Sequence, residues 1–383
     1  MTLHRLALLA ALCVSAAWSH AAGFSFIEVP ADKDGPALRG AVWTPCEAAP
    51  GEIAFGLIAI SAAKDCPVAG TGLPLVLMSH GSGGSFLGHH DTAAALADAG
   101  FVVAAINHPN DNFQDMERRG HLSTFAARPV DMRRLADHML KTWPGHTKLA
   151  ADQVGFFGFS RGGYTGLVAT GAVPDFKLGL RFCTPASKIP FCGQIQRQEL
   201  PAPPVRDARI KAAVIVDPLS FFDAEGLKQV TVPVQLWASA RGGDGVTLDD
   251  VEAVRRNLPS APDWYVPANT AHFAFLAPCA PAMAKALPEI CSDAGGFDPV
   301  AFHPHFQVQV LAFFMQHPGI EALSRLSACA AGPRAAAPPS PAGRSRRRCC
   351  RTPATAAPWS RRRSAAGSAA RSGVPCAPRC PRR

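Results

Sequence analysis

The sequence lacks the patterns that would indicate a membrane, metal or nucleotide-binding protein. Its N-terminal apolar run, Leu6–Ala17, is shorter than the roughly 20 residues that a membrane-spanning helix needs. No Cys-x-x-Cys or His-Glu-x-x-His spacing predicts a zinc site. No Gly-Lys-Ser/Thr follows a glycine-rich loop to predict phosphate binding. We therefore expect no transmembrane segment, no metal and no cofactor.

The last part of the chain lacks the side chains of a protein core. Residues 327–383 contain no Lys, Asp, Glu, Ile, Leu, Phe or Met, but they contain thirteen Arg. Residues 1–326 carry a net charge of −4, so the net positive charge of the whole chain comes from this tail. Three interpretations stay open: a disordered solvated tail, an arm for anionic surfaces, or GC-rich DNA translated out of frame. Nothing predicts specific nucleic-acid binding, because neither a fold nor interleaved aromatic residues accompany the arginines.

The N-terminus has the features of a secretory signal peptide. Residues 1–21 combine a basic start, the apolar run and small residues at Ser19 and Ala21, the spacing at which signal peptidase cleaves. Cleavage after Ala21 would leave residues 22–326 as one folded domain, a length ordinary for an α/β domain with insertions. We expect a secreted or periplasmic protein.

Cysteine usage in the domain agrees with export. Six cysteines remain there, and they fall into three pairs that are close in sequence. In an oxidising compartment such pairs predict disulfides that staple loops. The expected bridges are Cys46–Cys66, Cys183–Cys192 and Cys279–Cys291.

Short apolar runs rich in β-branched residues alternate with helical patterns along the domain. This alternation is typical of a mainly parallel sheet with helices on both faces, and we predict eight strands in one sheet. The strands are expected at Phe24–Val29, Leu38–Thr44, Leu73–Ser79, Phe101–Asn107, Gln153–Phe159, Ala212–Val216, Val232–Ala238 and Asp263–Pro267.

Helices are predicted between and after these strands, one of them with Pro129 in its first turn. A proline-rich stretch, residues 171–209, has no clean period and contains Cys183 and Cys192. It predicts a disulfide-containing lid insertion. The helices are expected at Asp91–Ala99, Pro129–Trp143, Arg161–Thr170, Leu248–Asn257 and Pro299–Gln316.

The chemistry is concentrated at Ser160, the centre of a Gly-x-Ser-x-Gly-Gly motif that spans Gly158–Gly163. A predicted strand ends at Phe159, just before the serine, and a predicted helix begins at Arg161, just after it. A strand before the serine and a helix after it are typical of a nucleophile elbow, a strained turn that projects the serine hydroxyl beyond the sheet. Ser160 is therefore the candidate nucleophile.

A serine hydroxyl needs a base to take its proton, and the base in turn needs an orienting carboxylate. His272 follows the last predicted strand on a loop and is the preferred base over His303, His305 and His317, which lie in or beside the terminal helix.

Two aspartates are candidates for the acid. Asp217 leaves an apolar strand directly and precedes a proline, whereas Asp244 lies in a glycine turn. We prefer Asp217, because an orienting carboxylate must be held in a fixed place. Asp244 stays the alternative.

The oxyanion of the tetrahedral intermediate needs two backbone donors. One is the amide of the residue after the nucleophile, Arg161. The other is expected from the glycine-rich loop after an early strand, Ser79–Gly84, where we assign the amide of Ser82.

Leu73–Asn112 and Gln153–Phe275 together resemble the α/β-hydrolase superfamily, specifically platelet-activating-factor acetylhydrolase-like esterases. The matching segments are the Ser-His-Gly-x loop at Ser79, the Gly-x-Ser-x-Gly-Gly motif, the Val-Asp strand end at Asp217 and the His-x-x-Phe loop at His272. The chain also resembles predicted dienelactone hydrolases, whose activity uses a cysteine nucleophile. The resemblance implies the α/β-hydrolase fold and the Ser160, Asp217, His272 triad.

The resulting expectation is an exported serine carboxylic ester hydrolase, esterase- or lipase-like, that acts on a small-molecule or lipid ester through an acyl-enzyme. Two alternatives are an acyltransferase that uses the same triad and a non-catalytic binding module on the hydrolase fold.

Overall fold

The computed structural model describes residues 21–202, 206–292 and 295–317. Residues 1–20 of the predicted signal peptide and the whole arginine-rich tail lie outside this part of the chain. Ala21, the last residue of the predicted signal, is the first residue of a strand.

The described residues form one ten-stranded sheet in the order β10-β9-β8-β7-β5-β6-β2-β1-β4-β3. Strands β5 to β10 run parallel to one another, whereas β2 pairs antiparallel with both β1 and β6, and β3 pairs antiparallel with β4. The strands are β1 (Ala21–Val29), β2 (Leu38–Cys46), β3 (Gly51–Phe55), β4 (Ile58–Lys64), β5 (Leu73–Ser79), β6 (Val102–Ile106), β7 (Leu149–Phe159), β8 (Ile210–Val216), β9 (Val234–Trp237) and β10 (Asp263–Tyr265).

The prediction of eight strands is wrong, because β3 and β4 form a hairpin that the sequence reading missed. Their connection is a two-residue turn with Gly56 at a φ of 65°, the left-handed conformation that glycine adopts without strain. β4 continues the sheet beyond β1, and the short runs of the hairpin carry too few large apolar residues to indicate strands.

Helices cover both faces of the sheet. α2, α3 and α6 pack into one hydrophobic core, and α1 and α9 pack into the other. The helices are α1 (His90–Asp98), α2 (Leu122–Lys141), α3 (Arg161–Thr170), α4 (Pro190–Gln196), α5 (Ala224–Leu227), α6 (Leu248–Asn257), α7 (Pro281–Ala286), α8 (Pro288–Cys291) and α9 (Pro299–Gln316).

The prediction that Pro129 lies in the first turn of its helix is also wrong. α2 begins at Leu122, whose amide donates a 2.9 Å hydrogen bond to the side chain of Gln194. Pro129 lies inside α2 and cannot donate to the carbonyl of Phe125. Burial of Phe125 and Met132 in the core offsets that loss.

All three expected disulfides are present: Cys46–Cys66, Cys183–Cys192 and Cys279–Cys291. The second lies in the predicted lid, where a 3₁₀ turn, Phe176–Phe182, precedes α4. Phe176 and Phe191 of this segment are buried against Phe125 and Phe221. The segment therefore contributes to the core, and a lid function stays a prediction.

No helix within the described residues is long and apolar enough to span a bilayer.

Candidate active site

The carboxyl ends of three neighbouring parallel strands meet at one edge of the sheet. Ser79 at the end of β5 is level with Gly158 in β7, and Phe159 in β7 is level with Val216 in β8. Because the strands are parallel and in this register, the segments that follow them emerge side by side. These segments contain the predicted oxyanion loop, Ser160 and Asp217.

Ser160 has the backbone conformation of a nucleophile elbow. Its φ of 56° and ψ of −118° are strained for a residue with a side chain, and its amide donates a 2.9 Å hydrogen bond to the carbonyl of Val216. A β-carbon on Gly158 would lie 2.1 Å from the carbonyl oxygen of Gly162, and one on Gly162 would lie 1.9 Å from that of Ser79. Only glycine fits at both positions, so the motif is a steric requirement of the turn.

The structure brings Asp217 and His272 together. The Oδ2 atom of Asp217 lies 2.6 Å from Nδ1 of His272, and both side chains are buried. Ser239, just after β9, donates to the same carboxylate through its amide at 2.8 Å and its hydroxyl at 2.7 Å. Three donors thus hold the carboxylate in one orientation. Sequence reasoning missed Ser239, whose only signal is its position just past a strand end.

The imidazole of His272 is fixed on several sides. Its Nδ1 atom is occupied by Asp217, and its Nε2 atom has no hydrogen-bond partner among the described residues. The His272 amide donates to the carbonyl of Gly242 at 3.0 Å, and its ring lies 4.7 Å from that of Phe159, the residue before Ser160. Nε2 is therefore the ring nitrogen that stays available to bind another group.

Asp244 occupies a different position. It is exposed, in a turn with a φ of 45°, and no described hydrogen bond joins it to His272. Its charge instead lies close enough to Arg161 to favour the protonated form of that guanidinium. The geometry thus favours Asp217 over Asp244 as the carboxylate that orients His272.

The rival histidines lie on or at the end of α9. His303 contacts Asp91 Oδ2 at 2.5 Å and the carbonyl of Ala274 at 3.1 Å, so both of its ring nitrogens are occupied. His305 is exposed on the same helix, and His317 caps its end. None of the three makes a described contact with Ser160.

The side chains of Ser82 and Arg161, the two predicted oxyanion residues, meet at one carboxylate. Asp111 accepts hydrogen bonds from the Ser82 hydroxyl and the Gly83 amide, each at 3.2 Å, and from the Arg161 guanidinium at 2.8 Å. Arg119 donates to the Ser82 hydroxyl at 2.9 Å. Sequence reasoning assigned no role to Asp111.

A second buried arginine lies under the oxyanion loop. Arg128 on α2 donates to the carbonyls of His80 at 2.7 Å and Gly81 at 3.0 Å, and to the Asp111 carboxylate at 2.9 Å. Burial lowers the pKa of Arg128 to about 10, although Asp111 opposes that shift. Burial alone would raise the pKa of Asp111, but Arg128 and Arg161 outweigh it and lower that pKa. Asp111 therefore stays ionised near neutral pH.

A second Ser-His-Asp hydrogen-bond chain lies beneath the site. Ser79 Oγ contacts His108 Nε2 at 2.9 Å, and His108 Nδ1 contacts Asp131 Oδ2 at 3.0 Å. Burial lowers the pKa of His108 well below its usual value and raises the pKa of Asp131 to about 7. Ser79 is completely buried, whereas Ser160 keeps 4% of its surface exposed and has the backbone conformation of an elbow turn.

An apolar cavity of about 280 Å³ borders two of the site loops. Leu87 and Gly88 line it from the loop after β5, and Leu276 and Ala277 line it from the loop that begins at His272. The amide of Ala277 donates to the carbonyl of Gly88 at 3.0 Å and joins the two loops. The lining contains none of the three predicted triad residues.

Within the described ranges, no group of three or more His, Cys, Asp or Glu side chains is arranged to hold a metal ion.

Among solved structures, a ferulic acid esterase from Streptomyces cinnamoneus matches this chain with a TM-score of 0.55. The two proteins share a fold. The match covers 79% of this chain and 91% of that esterase, at 18% sequence identity. The α/β architecture, with its mostly parallel sheet, is consistent with the expected hydrolase fold. No protein-family profile and no curated protein sequence matches the chain.

Proposed function

We propose that the chain is an exported serine hydrolase of carboxylic esters, with Ser160 as nucleophile, His272 as general base and Asp217 as the orienting acid. The observation that carries the proposal is the 2.6 Å contact between Asp217 and His272 at the sheet edge where Ser160 lies in an elbow. The fold shared with an esterase supports the reaction class, and three disulfides agree with export.

The chemistry follows from the two nitrogens of His272. Asp217 accepts a hydrogen bond from Nδ1–H, which leaves Nε2 unprotonated and able to take the hydroxyl proton of Ser160 as Oγ attacks the ester carbonyl. Nε2 then returns that proton to the departing alcohol, and an acyl-enzyme forms at Ser160. A water molecule, deprotonated by the same nitrogen, releases the acid.

Backbone amides would stabilise the negative charge of each tetrahedral intermediate. Arg161 follows the nucleophile at the start of α3, and Ser82 lies in the loop after β5. We propose their amides as the oxyanion donors. Gly81 supports this assignment, because a β-carbon there would lie only 3.3 Å from the Cβ of Ser160. The oxyanion loop and the nucleophile are thus in close contact.

The acyl part of the substrate is proposed to be apolar or aromatic. Small aryl, lipid and polyester substrates all contain such groups, and the apolar cavity beside Leu87 and Leu276 lies between two of the site loops. The sequence resemblance to platelet-activating-factor acetylhydrolase-like esterases belongs to this proposal as well. Dienelactone hydrolysis is not proposed, because position 160 is serine and that activity uses a cysteine nucleophile.

The proposal is tested with p-nitrophenyl esters of increasing acyl length and with a fluorophosphonate that labels activated serines. Ser160→Ala should lower turnover by several powers of ten and abolish labelling. Ser79→Ala is the matched control, since Ser79 belongs to the other Ser-His-Asp chain, and it should still be labelled.

Two outcomes would contradict this function. If labelling is lost in Ser79→Ala but kept in Ser160→Ala, the nucleophile is Ser79 and not Ser160. A folded wild-type protein that neither turns over any ester nor takes the label would be a binding module on this fold. Addition of alcohols to the assay separates hydrolysis from acyl transfer, because a transferase forms the new ester in preference to the acid.

A further inference from the structure

We propose that Asp111 is a positioning residue that fixes the two halves of the oxyanion hole relative to each other. The inference rests on the proposed function above and deepens it. Asp111 lies in the loop after β6, outside every motif that the sequence analysis used. It would touch neither substrate nor the reacting atoms, and it would act through Ser82, Arg161 and Arg128.

The first argument is the geometry of the carboxylate, whose two oxygens bind opposite halves of the site. Oδ1 accepts the Ser82 hydroxyl and the Gly83 amide from the loop after β5. Oδ2 accepts the guanidinium of Arg161, the first residue of α3. The same side chain therefore connects the two residues whose amides are the proposed oxyanion donors.

The second argument is the direction in which the loop amides point. In a trans peptide the C=O of one residue and the N–H of the next point in opposite directions. Arg128 draws the carbonyl of Gly81 toward α2 with a 3.0 Å hydrogen bond, so the N–H of Ser82 must point away from α2. Asp111 holds Arg128 in place through its Nε atom at 2.9 Å.

The third argument is the free-energy cost of the network. The side chains of Asp111 and Arg128 are completely buried, and that of Arg161 is about nine-tenths buried. Burying charges is expensive even when they are paired, and apolar side chains often stabilise a fold equally well. Stabilisation of a transition state requires hydrogen-bond donors that are already in place and do not have to reorganise during the reaction. The network thus suits positioning better than stability.

The experiment compares Asp111→Asn with wild type in two measurements that a purely structural role would not change. One is the split between kcat and KM for a p-nitrophenyl ester. The other is the affinity for phenylboronic acid, which forms a tetrahedral adduct with an active serine. We expect kcat to fall about 10- to 100-fold with KM changed less than about 3-fold, and boronate affinity to fall along with kcat.

Asp131→Asn is the matched control, because Asp131 is also a buried carboxylate with an arginine neighbour but lies in the Ser79–His108 chain. It should leave kcat and boronate affinity unchanged. Fluorophosphonate should still label Asp111→Asn to one equivalent, more slowly. Labelling distinguishes the two possible failures. If the proposed function is wrong, the wild type itself is not labelled; if only this inference is wrong, the wild type is labelled.

The inference is overturned if Asp111→Asn has the kcat and boronate affinity of wild type. It is also overturned if both values fall only in proportion to the fraction of protein molecules that the fluorophosphonate labels. If this variant does not fold, Ser82→Ala decides, since it removes one hydrogen bond to Asp111 and leaves the buried arginines paired. A parallel few-fold loss of kcat and boronate affinity supports positioning, and unchanged values overturn it.

Discussion

Gly162 lies so close to Ser79 that a β-carbon at position 162 would fall 1.9 Å from the Ser79 carbonyl oxygen. This contact presses the first turn of α3 against the end of β5. The parallel strands bring the serine turn and the glycine-rich loop after β5 side by side, and Gly162 lets them approach this closely, although Ser79 and Gly162 are 83 positions apart. Backbone-to-backbone contact of this kind leaves no flexible side chain to move aside.

Gly162→Ala should therefore displace either α3 or the oxyanion loop. We expect a loss of at least about 1–3 kcal/mol in unfolding free energy, as for overpacked cores, together with a large loss of fluorophosphonate labelling rate. Thermal unfolding and labelling kinetics measure the two effects. Gly51→Ala is the control, because a β-carbon at Gly51 meets nothing within 4 Å. Wild-type behaviour of Gly162→Ala would contradict the close contact.

Asp217→Asn should impair catalysis far more than Asp244→Asn. The amide can no longer fix the Nδ1 proton of His272 or stabilise the imidazolium, a loss on the order of 10⁴ in kcat for a well-studied triad. Asp244 lies in an exposed turn, so its replacement should change kcat less than about 3-fold. Steady-state hydrolysis of one p-nitrophenyl ester compares the two. The reverse ranking would assign the acid to Asp244.

Acid should destabilise the protein through its buried neutral histidines. Burial lowers the pKa of His80 to about 3 and that of His89 to about 4. The unfolded chain takes up these protons near pH 6.5 while the folded chain does not, so the free energy of unfolding should decrease as the pH falls from about 6.5 toward 4. Urea denaturation at each pH measures this decrease.

His89→Gln isolates one of these groups. Glutamine can keep the hydrogen bond that His89 makes with the carbonyl of Phe275, but it does not titrate, so the variant should lose less stability than wild type between pH 6.5 and 4. His305→Gln, at an exposed position on α9, should follow wild type. The raised pKa of Asp131 changes the free energy of unfolding with pH in the opposite direction, but it does so equally in wild type and in both variants. Coincident curves for wild type and His89→Gln would refute the prediction.

Deletion of residues 327–383 should preserve ester hydrolysis and the thermal unfolding temperature. The segment, which lies outside the described residues, contains almost no large apolar side chain with which to contribute to a core. Any affinity of the tail for anionic surfaces should weaken steeply with salt, because bound arginines displace counterions. A truncated chain that unfolds, or that loses activity at low salt, would make the tail part of the working protein.

Strong local signals account for the elements that the sequence predicted well. The bounds of β5, α3, α6 and α9 agree with the prediction. α9 has Asp298 as its N-cap and Pro299 in its first turn, and α6 has a capping box at Thr247. The β3–β4 hairpin has no comparable signal, since its strands are short, half-exposed and joined by Gly-Leu.

The candidate site was predictable only where chain order and strand ends define it. Ser160, Asp217 and His272 were predicted from the Gly-x-Ser-x-Gly-Gly motif, from their places after predicted strands and from the family resemblance, and their catalytic roles stay predictions. The contacts of Asp111, Arg128 and Ser239 join residues that are 17 to 50 positions apart. No local pattern encodes such contacts, because they depend on where the loops lie after the sheet has formed.

The contact between Asp217 and His272 joins residues 55 positions apart. The three disulfides bridge only 20, 9 and 12 positions, and none encloses both residues. An oxidised but unfolded chain is therefore no nearer to a working site than a reduced one. The rate at which ester hydrolysis recovers during refolding would thus report on the late, long-range assembly of β7, β8 and β9. The rate of disulfide formation would report only on local loop closure.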